Sequence, residues 1–310
     1  MKPDPRVPVD LFVRYGFAPD QFFKSGHKGV RGPCPKCGGT RRMLVFVDHG
    51  PNCNFECPCG YKGVMFANGN GRADPEATRK LRESIRQAKE QQKHKSEGAL
   101  AAFRHRETWL EYHQNLDVQH RVWWLRQGIP PKWQNFYKLG YAPDKTFGNN
   151  GELFRSAAYT IPCFDLGWAP VNLQYRVLQM PDGAGKYRQE AGLPASLFFS
   201  RPDLPLGEQP IIVEGAKKAG VLCIRLPGNP QVIGLPGALS WAGVEERVRD
   251  CRQVWIVLDP DAQQAAHKLA KSIGRAARIV RLGVKPDDAF VQYGATPQHF
   301  RHAFHGAVRV

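Results

Sequence analysis

Four short apolar segments follow one another in the C-terminal third of the chain, and this alternation most constrains the fold. Each is rich in β-branched residues and is bounded by turn residues, as buried strands usually are. The predicted strands lie at 211–213, 232–233, 254–258 and 278–282. Helical stretches separate them, and strands that alternate with helices pair in parallel through crossover helices. We therefore expect an α/β fold with a mainly parallel sheet in this region.

Acidic residues stand where these predicted strands end. Glu214 follows the first strand, Asp259 and Asp261 follow the third, and the segment 285–288, which ends at Asp288, follows the fourth. The carboxyl ends of parallel strands meet at one edge of a sheet, where α/β proteins form their sites. Carboxylates in one crevice repel each other unless a cation lies between them, and Mg²⁺ or Mn²⁺ with oxygen ligands fits. For the Asp259-Pro-Asp261 motif alone, a turn that caps the next helix is the alternative.

A cysteine cluster lies in the first 70 residues. Cys34 and Cys37 form a C-x-x-C pair, and Cys57 and Cys59 follow about twenty residues later as C-x-C. Two such turns on a hairpin make a zinc ribbon, in which four thiolates hold a structural zinc ion. Because a single residue separates Cys57 from Cys59, Cys53 is the alternative for one of them. Early clustering of this kind favours reduced thiolates on a metal in a cytoplasm. The other cysteines stand in apolar contexts and are expected in the core: Cys163, Cys223 and Cys251.

The charge of the chain is strongly positive. Lys and Arg outnumber Asp and Glu by 44 to 28 in 310 residues, which gives a formal net charge of +16. Such an excess attracts polyanions, of which nucleic acid is the usual one, although a solubilising basic surface is the alternative. The sequence contains no run of about 18 apolar residues, which a membrane-spanning helix would need. It also does not open with an apolar signal segment.

Composition divides the chain into four predicted segments. Residues 1–70 form the cysteine-rich unit, and 71–106 form a charged helical linker with Asp74 as N-cap and Pro75 at its first position. Residues 107–207 are rich in aromatic side chains and should form a mixed α/β basic subdomain. The parallel sheet with its flanking helices occupies 208–310.

The strand-end acids resemble a known domain. Glu214-Gly215 and Asp259-Pro-Asp261 resemble the Glu-Gly and Asp-x-Asp motifs of the Toprim domain, which DnaG-type primases share with topoisomerases, recombination mediators and certain nucleases. The resemblance to bacterial and phage DnaG-type primases extends over most of the chain and keeps the order of the family. Its further segments are the cysteine ribbon and the residues 123–144, 161–176, 186–200 and 285–290.

This resemblance implies a DNA-templated RNA primase that acts on single-stranded DNA and ribonucleoside triphosphates. It implies that Glu214, Asp259 and Asp261 hold the catalytic Mg²⁺ or Mn²⁺ ions, with Asp288 as a further ligand. Glu214 would also assist proton transfer. It further implies a basic groove for template and nucleotide phosphates, lined by Arg176, Lys186 and Arg188. The ribbon would present basic and aromatic side chains to the template: Arg41, Arg42, Phe55, Tyr61 and Lys62.

The chain departs from the family in three places. Lys218 stands where many members carry an acid, the C-x-C spacing is compressed, and no Gly-x-x-x-x-Gly-Lys-Ser/Thr loop of a fused helicase occurs. The chain is therefore expected to work alone or with a separate helicase, as a phage or mobile-element protein would. Two rivals remain: a non-enzymatic nucleic-acid-binding protein of the recombination-mediator type, and a Toprim nuclease.

Overall fold

The computed structural model describes residues 6–25, 29–40, 43–47, 53–65, 75–149, 152–182 and 185–309. The chain forms two compact units, Met1–Glu90 and Gln91–Val310. This division is coarser than the four predicted segments, whose boundaries remain predictions.

The first unit is built on a five-stranded antiparallel sheet in the order β1-β2-β3-β4-β5. It begins with helix α1 (Val9–Arg14) and a 3-10 turn (Pro19–Gln21). The strands are β1 (Phe23–Ser25), β2 (Gly29–Gly32), β3 (Met43–Phe46), β4 (Cys53–Glu56) and β5 (Lys62–Met65). Phe12 of α1 and Phe22 are fully buried, with their rings 4.8 Å apart, beside strand residues such as Val45. A small apolar core therefore lies beside the cysteines.

Helix α2 (Pro75–Arg106) occupies the region predicted as a helical linker. Pro75, for which the sequence predicts the first helical position, is the first described residue of this helix. Its predicted N-cap, Asp74, lies outside the described residues. Near its end, Phe103 is buried and packs against the four-stranded sheet of the second unit.

Three short helices and an antiparallel sheet follow. The helices are α3 (Thr108–Gln114), α4 (Val118–Arg126) and α5 (Pro131–Phe136). The sheet has the order β6-β7-β8-β9, with β6 (Gly140–Asn149), β7 (Glu152–Phe164), β8 (Pro170–Val177) and β9 (Tyr187–Gln189). Asp117 caps α4 by accepting a hydrogen bond from the His120 backbone N–H.

The last part of the chain forms a six-stranded sheet in the order β10-β12-β11-β13-β14-β15. Its strands are β10 (Phe198–Phe199), β11 (Ile211–Glu214), β12 (Val232–Leu235), β13 (Val254–Val257), β14 (Ala277–Ile279) and β15 (Val308–Arg309). The four inner strands are parallel and the two edge strands are antiparallel. The accompanying helices are α6 (Ala216–Arg225), α7 (Val244–Arg247), α8 (Gln263–Ile273), α9 (Pro286–Val291) and α10 (Pro297–His305), with a 3-10 turn at Pro260–Ala262. The predicted α/β fold with a mainly parallel sheet is confirmed.

Helices cover both faces of this sheet, which explains why its strands are continuous apolar runs. On one face, Ile211 and Val213 pack in a cluster that includes Trp124 of α4 and residues of α6, α9 and α10. On the other face, Ile212 and Ile256 pack against α7 and α8. The crossovers leave the carboxyl ends of β11 and β13 side by side at one edge.

Candidate metal centre and acidic crevice

The four predicted zinc ligands lie together in the first unit. The Sγ atoms of Cys34, Cys37, Cys57 and Cys59 all lie within 4.8 Å of one another. Two of the separations are 3.7 Å, from Cys34 to Cys59, and 3.8 Å, from Cys37 to Cys57. Four sulfurs at about 2.3 Å from a central zinc ion stand about 3.8 Å apart at the corners of a tetrahedron. The spacing of the sulfurs therefore fits a zinc ion.

Two glycine turns bring these thiols together. The Gly38 N–H donates to the Cys34 carbonyl oxygen at 2.9 Å, and the Gly60 N–H donates to the Cys57 carbonyl oxygen at 2.9 Å. Both glycines have positive φ, +68° and +85°, a conformation that favours glycine. The second turn is one residue shorter, which accounts for the single residue between Cys57 and Cys59. Cys53 lies in β4, buried in the apolar core and outside the group of four.

The side chains expected to face a template from this unit differ in exposure. Lys62 is exposed and Tyr61 is half-buried. Phe55 is buried, and its ring centroid lies 5.7 Å from that of Phe17 and 5.1 Å from that of Tyr61. It therefore packs in the core, and the expectation that it faces a template was wrong. Arg41 and Arg42 lie outside the described residues.

Close backbone packing shapes the edge of the parallel sheet where Glu214 lies. Gly215, directly after β11, has φ +88° and begins helix α6. A Cβ atom on Gly234 of β12 would stand 2.8 Å from the Gly215 carbonyl oxygen, so only glycine lets β12 approach this turn. Gly237 belongs to a tight turn that Ser240 closes with a 3.0 Å backbone hydrogen bond.

A cavity of about 240 Å³ opens at this edge. Glu214 lines it from the end of β11, and Asp287 and Asp288 line it from the first turn of α9. Asp259 follows β13 and is 4 % exposed, whereas Asp261 stands exposed in the next 3-10 turn. The remaining lining residues come from β8, β9, α6 and two loops: Gln174, Tyr187, Gly215, Ala216, Lys217, Lys218, Pro236 and Lys285.

Three lysines contact the two most buried acids of this crevice. The Lys218 Nζ lies 2.8 Å from Asp259 Oδ2, and the Lys285 Nζ lies 3.9 Å from the same oxygen. The Lys217 Nζ lies 2.7 Å from Asp287 Oδ2. Ammonium groups therefore relieve part of the repulsion between these acids, which the sequence alone assigns to a divalent metal.

The fit of a divalent cation to the crevice rests on two oxygens. Among the described residues, the Oδ1 atoms of Asp259 and Asp287 are buried and have no hydrogen-bond partner. A buried carboxylate oxygen without a partner is costly, and a cation would satisfy it. In the described part of the chain, however, no group of carboxylates is close enough together to surround an ion without movement. An ion at these acids would therefore need further oxygen ligands, such as water.

Burial raises the pKa of Glu214 above its ordinary value of 4.5, and the charges of Asp259 and Asp261 raise it further, although Lys218 opposes them. The three predicted metal-site acids therefore influence one another electrostatically. A carboxylate with a raised pKa is also a better proton acceptor.

Glu214→Gln is expected to stabilise the second unit at neutral pH. A raised pKa in the folded state means that the ionised side chain disfavours folding, and the penalty grows as the pH rises from 4.5 through the folded pKa. The uncharged amide removes this penalty, so its advantage should vanish below 4.5. Urea unfolding across this range measures the effect, with the exposed Glu246→Gln as control. A destabilised Glu214→Gln protein at neutral pH would contradict the expectation.

The predicted basic groove residues occupy different positions. Arg176, on β8, lies opposite Tyr187 in the sheet, and its guanidinium carbon stands 4.9 Å from the centroid of the Trp123 ring. Trp123 in turn stacks on Tyr159 at 3.8 Å, so aromatic rings position Arg176 beside a cavity-lining residue. Lys186 is exposed just before β9. Arg188 pairs with Tyr175, and because side chains alternate along a strand it faces away from Tyr187.

Several residues of the crevice are not among those that the sequence predicts. The predicted acid, Asp288, lines the cavity and accepts a 3.1 Å hydrogen bond from Gln292, but Asp287 is the buried acid that pairs with a lysine. Lys217 and Lys285 also belong to the crevice without having been assigned to it. The signal available was the motif Lys285-Pro-Asp287-Asp288 itself, in which adjacent acids cannot be ranked from spacing alone.

The three cysteines outside the ribbon were expected in the core. Cys163 and Cys223 are fully buried, and Cys251 is half-buried.

No family profile matches the chain, and no curated protein matches it by sequence. Solved structures do match. The zinc-binding and RNA polymerase domains of the Aquifex aeolicus primase align over 98 % of this chain and 85 % of that chain, at 18 % identity and a TM-score of 0.53. A DNA primase domain from Pseudomonas aeruginosa aligns over 68 % of this chain and 78 % of that chain, at 17 % identity and a TM-score of 0.54. A DnaG primase catalytic domain bound to single-stranded DNA aligns over 71 % of this chain and 83 % of that chain, at 16 % identity and a TM-score of 0.54.

These comparisons establish the fold. The chain has the architecture of DnaG-type primase zinc-binding and RNA polymerase domains, together with a four-cysteine cluster that could bind zinc. In the described residues, no helix is both long and apolar enough to cross a membrane.

Proposed function

We propose that the protein is a DNA-templated RNA primase. The observation that carries the proposal is the alignment of 98 % of the chain with the two primase domains, combined with acids at the ends of β11 and β13 of its parallel sheet. The fold alone does not define an activity. The acids beside a cavity and the net charge of +16 add the chemistry that acting on nucleic acid requires.

In this proposal the reaction joins two ribonucleotides paired to a single-stranded DNA template. The 3′-oxygen of one nucleotide bonds to the α-phosphorus of the next, the bond from that phosphorus to the leaving oxygen breaks, and pyrophosphate departs. A Mg²⁺ or Mn²⁺ ion held by Glu214, Asp259 and Asp261 would neutralise triphosphate charge and orient the attack. Glu214, with its raised pKa, would accept the proton of the 3′-hydroxyl.

Basic residues around the crevice would bind the substrates. Arg176 can grip a phosphate with two parallel hydrogen bonds, and the Trp123 ring keeps its guanidinium in place. Lys186 is exposed and would act as a point charge toward the template backbone. The zinc-ribbon unit would contact the template through exposed residues such as Lys62. In this proposal a separate replicative helicase would deliver the template.

The test is synthesis of short RNA on single-stranded DNA of defined sequence, with labelled ribonucleoside triphosphates and Mg²⁺ or Mn²⁺. The zinc-loaded full chain is expected to make template-dependent oligoribonucleotides without a primer. Incubation of labelled DNA with the same metals, without nucleotides, would reveal cleavage if the protein is a nuclease. A folded, metal-loaded protein that binds DNA but makes no RNA would overturn the proposal.

One observation favours a second candidate, a non-enzymatic nucleic-acid-binding protein. Lys218 and Lys285 both contact Asp259, so ammonium groups occupy space beside the acid that a catalytic metal needs. A protein with this crevice could retain the fold and the basic surfaces while lacking polymerisation. Binding to single-stranded DNA without synthesis, under both metals and over a range of nucleotide concentrations, would support this candidate.

Arg176→Met is expected to weaken binding to single-stranded DNA on the order of tenfold at low salt, because one phosphate contact is lost. The log–log slope of affinity against salt should become less steep by roughly 0.7. Fluorescence anisotropy with a labelled oligonucleotide measures both quantities. Arg275→Met is the matched control, since Arg275 is exposed and precedes β14, at the opposite edge of the parallel sheet. Equal losses in the two variants would mean that Arg176 has no specific phosphate contact.

A further inference from the structure

Two lysine ammonium groups lie beside the buried acid Asp259. The Nζ atoms of Lys218 and Lys285 lie 2.8 Å and 3.9 Å from Asp259 Oδ2. These lysines come from different elements, α6 and the segment before α9. The side chain of Asp259 is 6 % exposed and that of Lys218 is 15 % exposed. Water therefore screens this pair much less than it screens an ion pair on the surface.

A second pair repeats this arrangement at another buried acid. Lys217 contacts Asp287 Oδ2 at 2.7 Å and also donates to the Gln127 side-chain oxygen at 3.2 Å. Its exposed fraction is 19 %, and that of the Asp287 side chain is 3 %. Successive residues of α6 thus direct two partly buried ammonium groups to two separate buried acids.

The consequence for metal binding follows from charge. A divalent ion on Asp259 Oδ2 would lie only a few ångströms from the Lys218 ammonium, and like charges at that distance in a partly buried site repel each other. The Oδ1 atom of the same carboxylate is buried and has no partner among the described residues. The carboxylate therefore has one oxygen taken by lysine and one left for a metal.

We propose that Lys218, supported by Lys285, fills one cation position of this crevice with its ammonium group, so that the protein binds one divalent cation fewer than it would with an acid at residue 218. This inference rests on the proposed function only in taking the crevice as a site for divalent cations. In a polymerase, the fixed ammonium would take over from a metal ion part of the neutralisation of triphosphate charge. It would also make activity less dependent on the concentration of free metal.

The experiment counts Mn²⁺ ions bound to the zinc-loaded full chain, by the electron paramagnetic resonance signal of free Mn²⁺, without nucleotides or DNA. Mn²⁺ does not displace zinc from thiolates, since it stands lower in the affinity order of divalent metals. Lys218→Asp is expected to bind one Mn²⁺ ion more than the wild type. Lys271→Asp is the matched control, because it makes the same charge change on an exposed residue in the last turn of α8. It should leave the count unchanged.

Folding of each variant is checked by thermal unfolding. If Lys218→Asp does not fold, Lys218→Met removes only the ammonium and should tighten Mn²⁺ binding about tenfold. An unchanged Mn²⁺ count in folded Lys218→Asp, or an unchanged affinity in Lys218→Met, would overturn the inference. The result is independent of catalysis: a wild type that makes no RNA, beside a Lys218→Asp protein that gains an ion, would refute the primase and leave the inference standing.

Discussion

Cys34→Ala is expected to abolish zinc binding and to unfold the first unit of the protein, while the second unit stays folded. The sheet of the first unit has strands of only three or four residues, and the cysteine turns are part of its core. Zinc binding to such a unit contributes on the order of 10 kcal/mol to folding, far more than so small a core supplies. Loss of one thiolate from a tetrahedral site removes most of this contribution.

The measurement combines zinc content with limited proteolysis of the full chain. Cleavage is expected within residues 6–65, and the fragment after residue 90 should stay resistant because it has its own apolar cores. Cys53→Ala is the matched control, since Cys53 is buried in the same unit but lies outside the group of four sulfurs. It should keep one zinc ion per chain. Loss of zinc from Cys53→Ala, or full zinc in Cys34→Ala, would show that the ligand set differs from the proposed one.

The parallel sheet could be predicted because its strands are buried on both faces. Such strands must be apolar throughout, so 254–258 was recognised as a strand, and Val254–Val257 forms one. Strand ends were less accurate: 278–282 was predicted, whereas β14 covers Ala277–Ile279 with one further backbone hydrogen bond, from Val280 to Ile256. Ends depend on where the neighbouring strand stops, which the local sequence does not contain.

The lysine contacts of the crevice could not be predicted for a related reason. Lys218 was noticed as a departure from an acidic pattern, but its partner Asp259 lies 41 residues away, and only the register of β11 and β13 brings them together. Adjacent residues of a helix point about 100° apart. For that reason Lys217 reaches Asp287 and not Asp259, and the same geometry separates Asp287 from Asp288.

Asp259→Asn is expected to lower primer synthesis by about a thousandfold or more, which corresponds to roughly 4 kcal/mol of transition-state stabilisation. The amide keeps the shape of the side chain but removes the charge that would hold the catalytic ion. It also leaves Lys218 beside a neutral group in a site where that lysine is only 15 % exposed. Breaking such a pair costs about 3 kcal/mol of folding stability, toward the lower end for buried pairs because the lysine can turn its head to water.

A double variant separates the two effects. In Asp259→Asn/Lys218→Met no ammonium of residue 218 remains unpaired, so the midpoint of urea unfolding should return toward that of the wild type. Primer synthesis should not return, because a carboxylate is required on the proposed metal and neither substitution supplies one. The exposed Asp250→Asn serves as control for the loss of one negative charge. Recovery of synthesis along with stability would mean that Asp259 acts only by holding Lys218, and that the metal-binding role belongs to other acids.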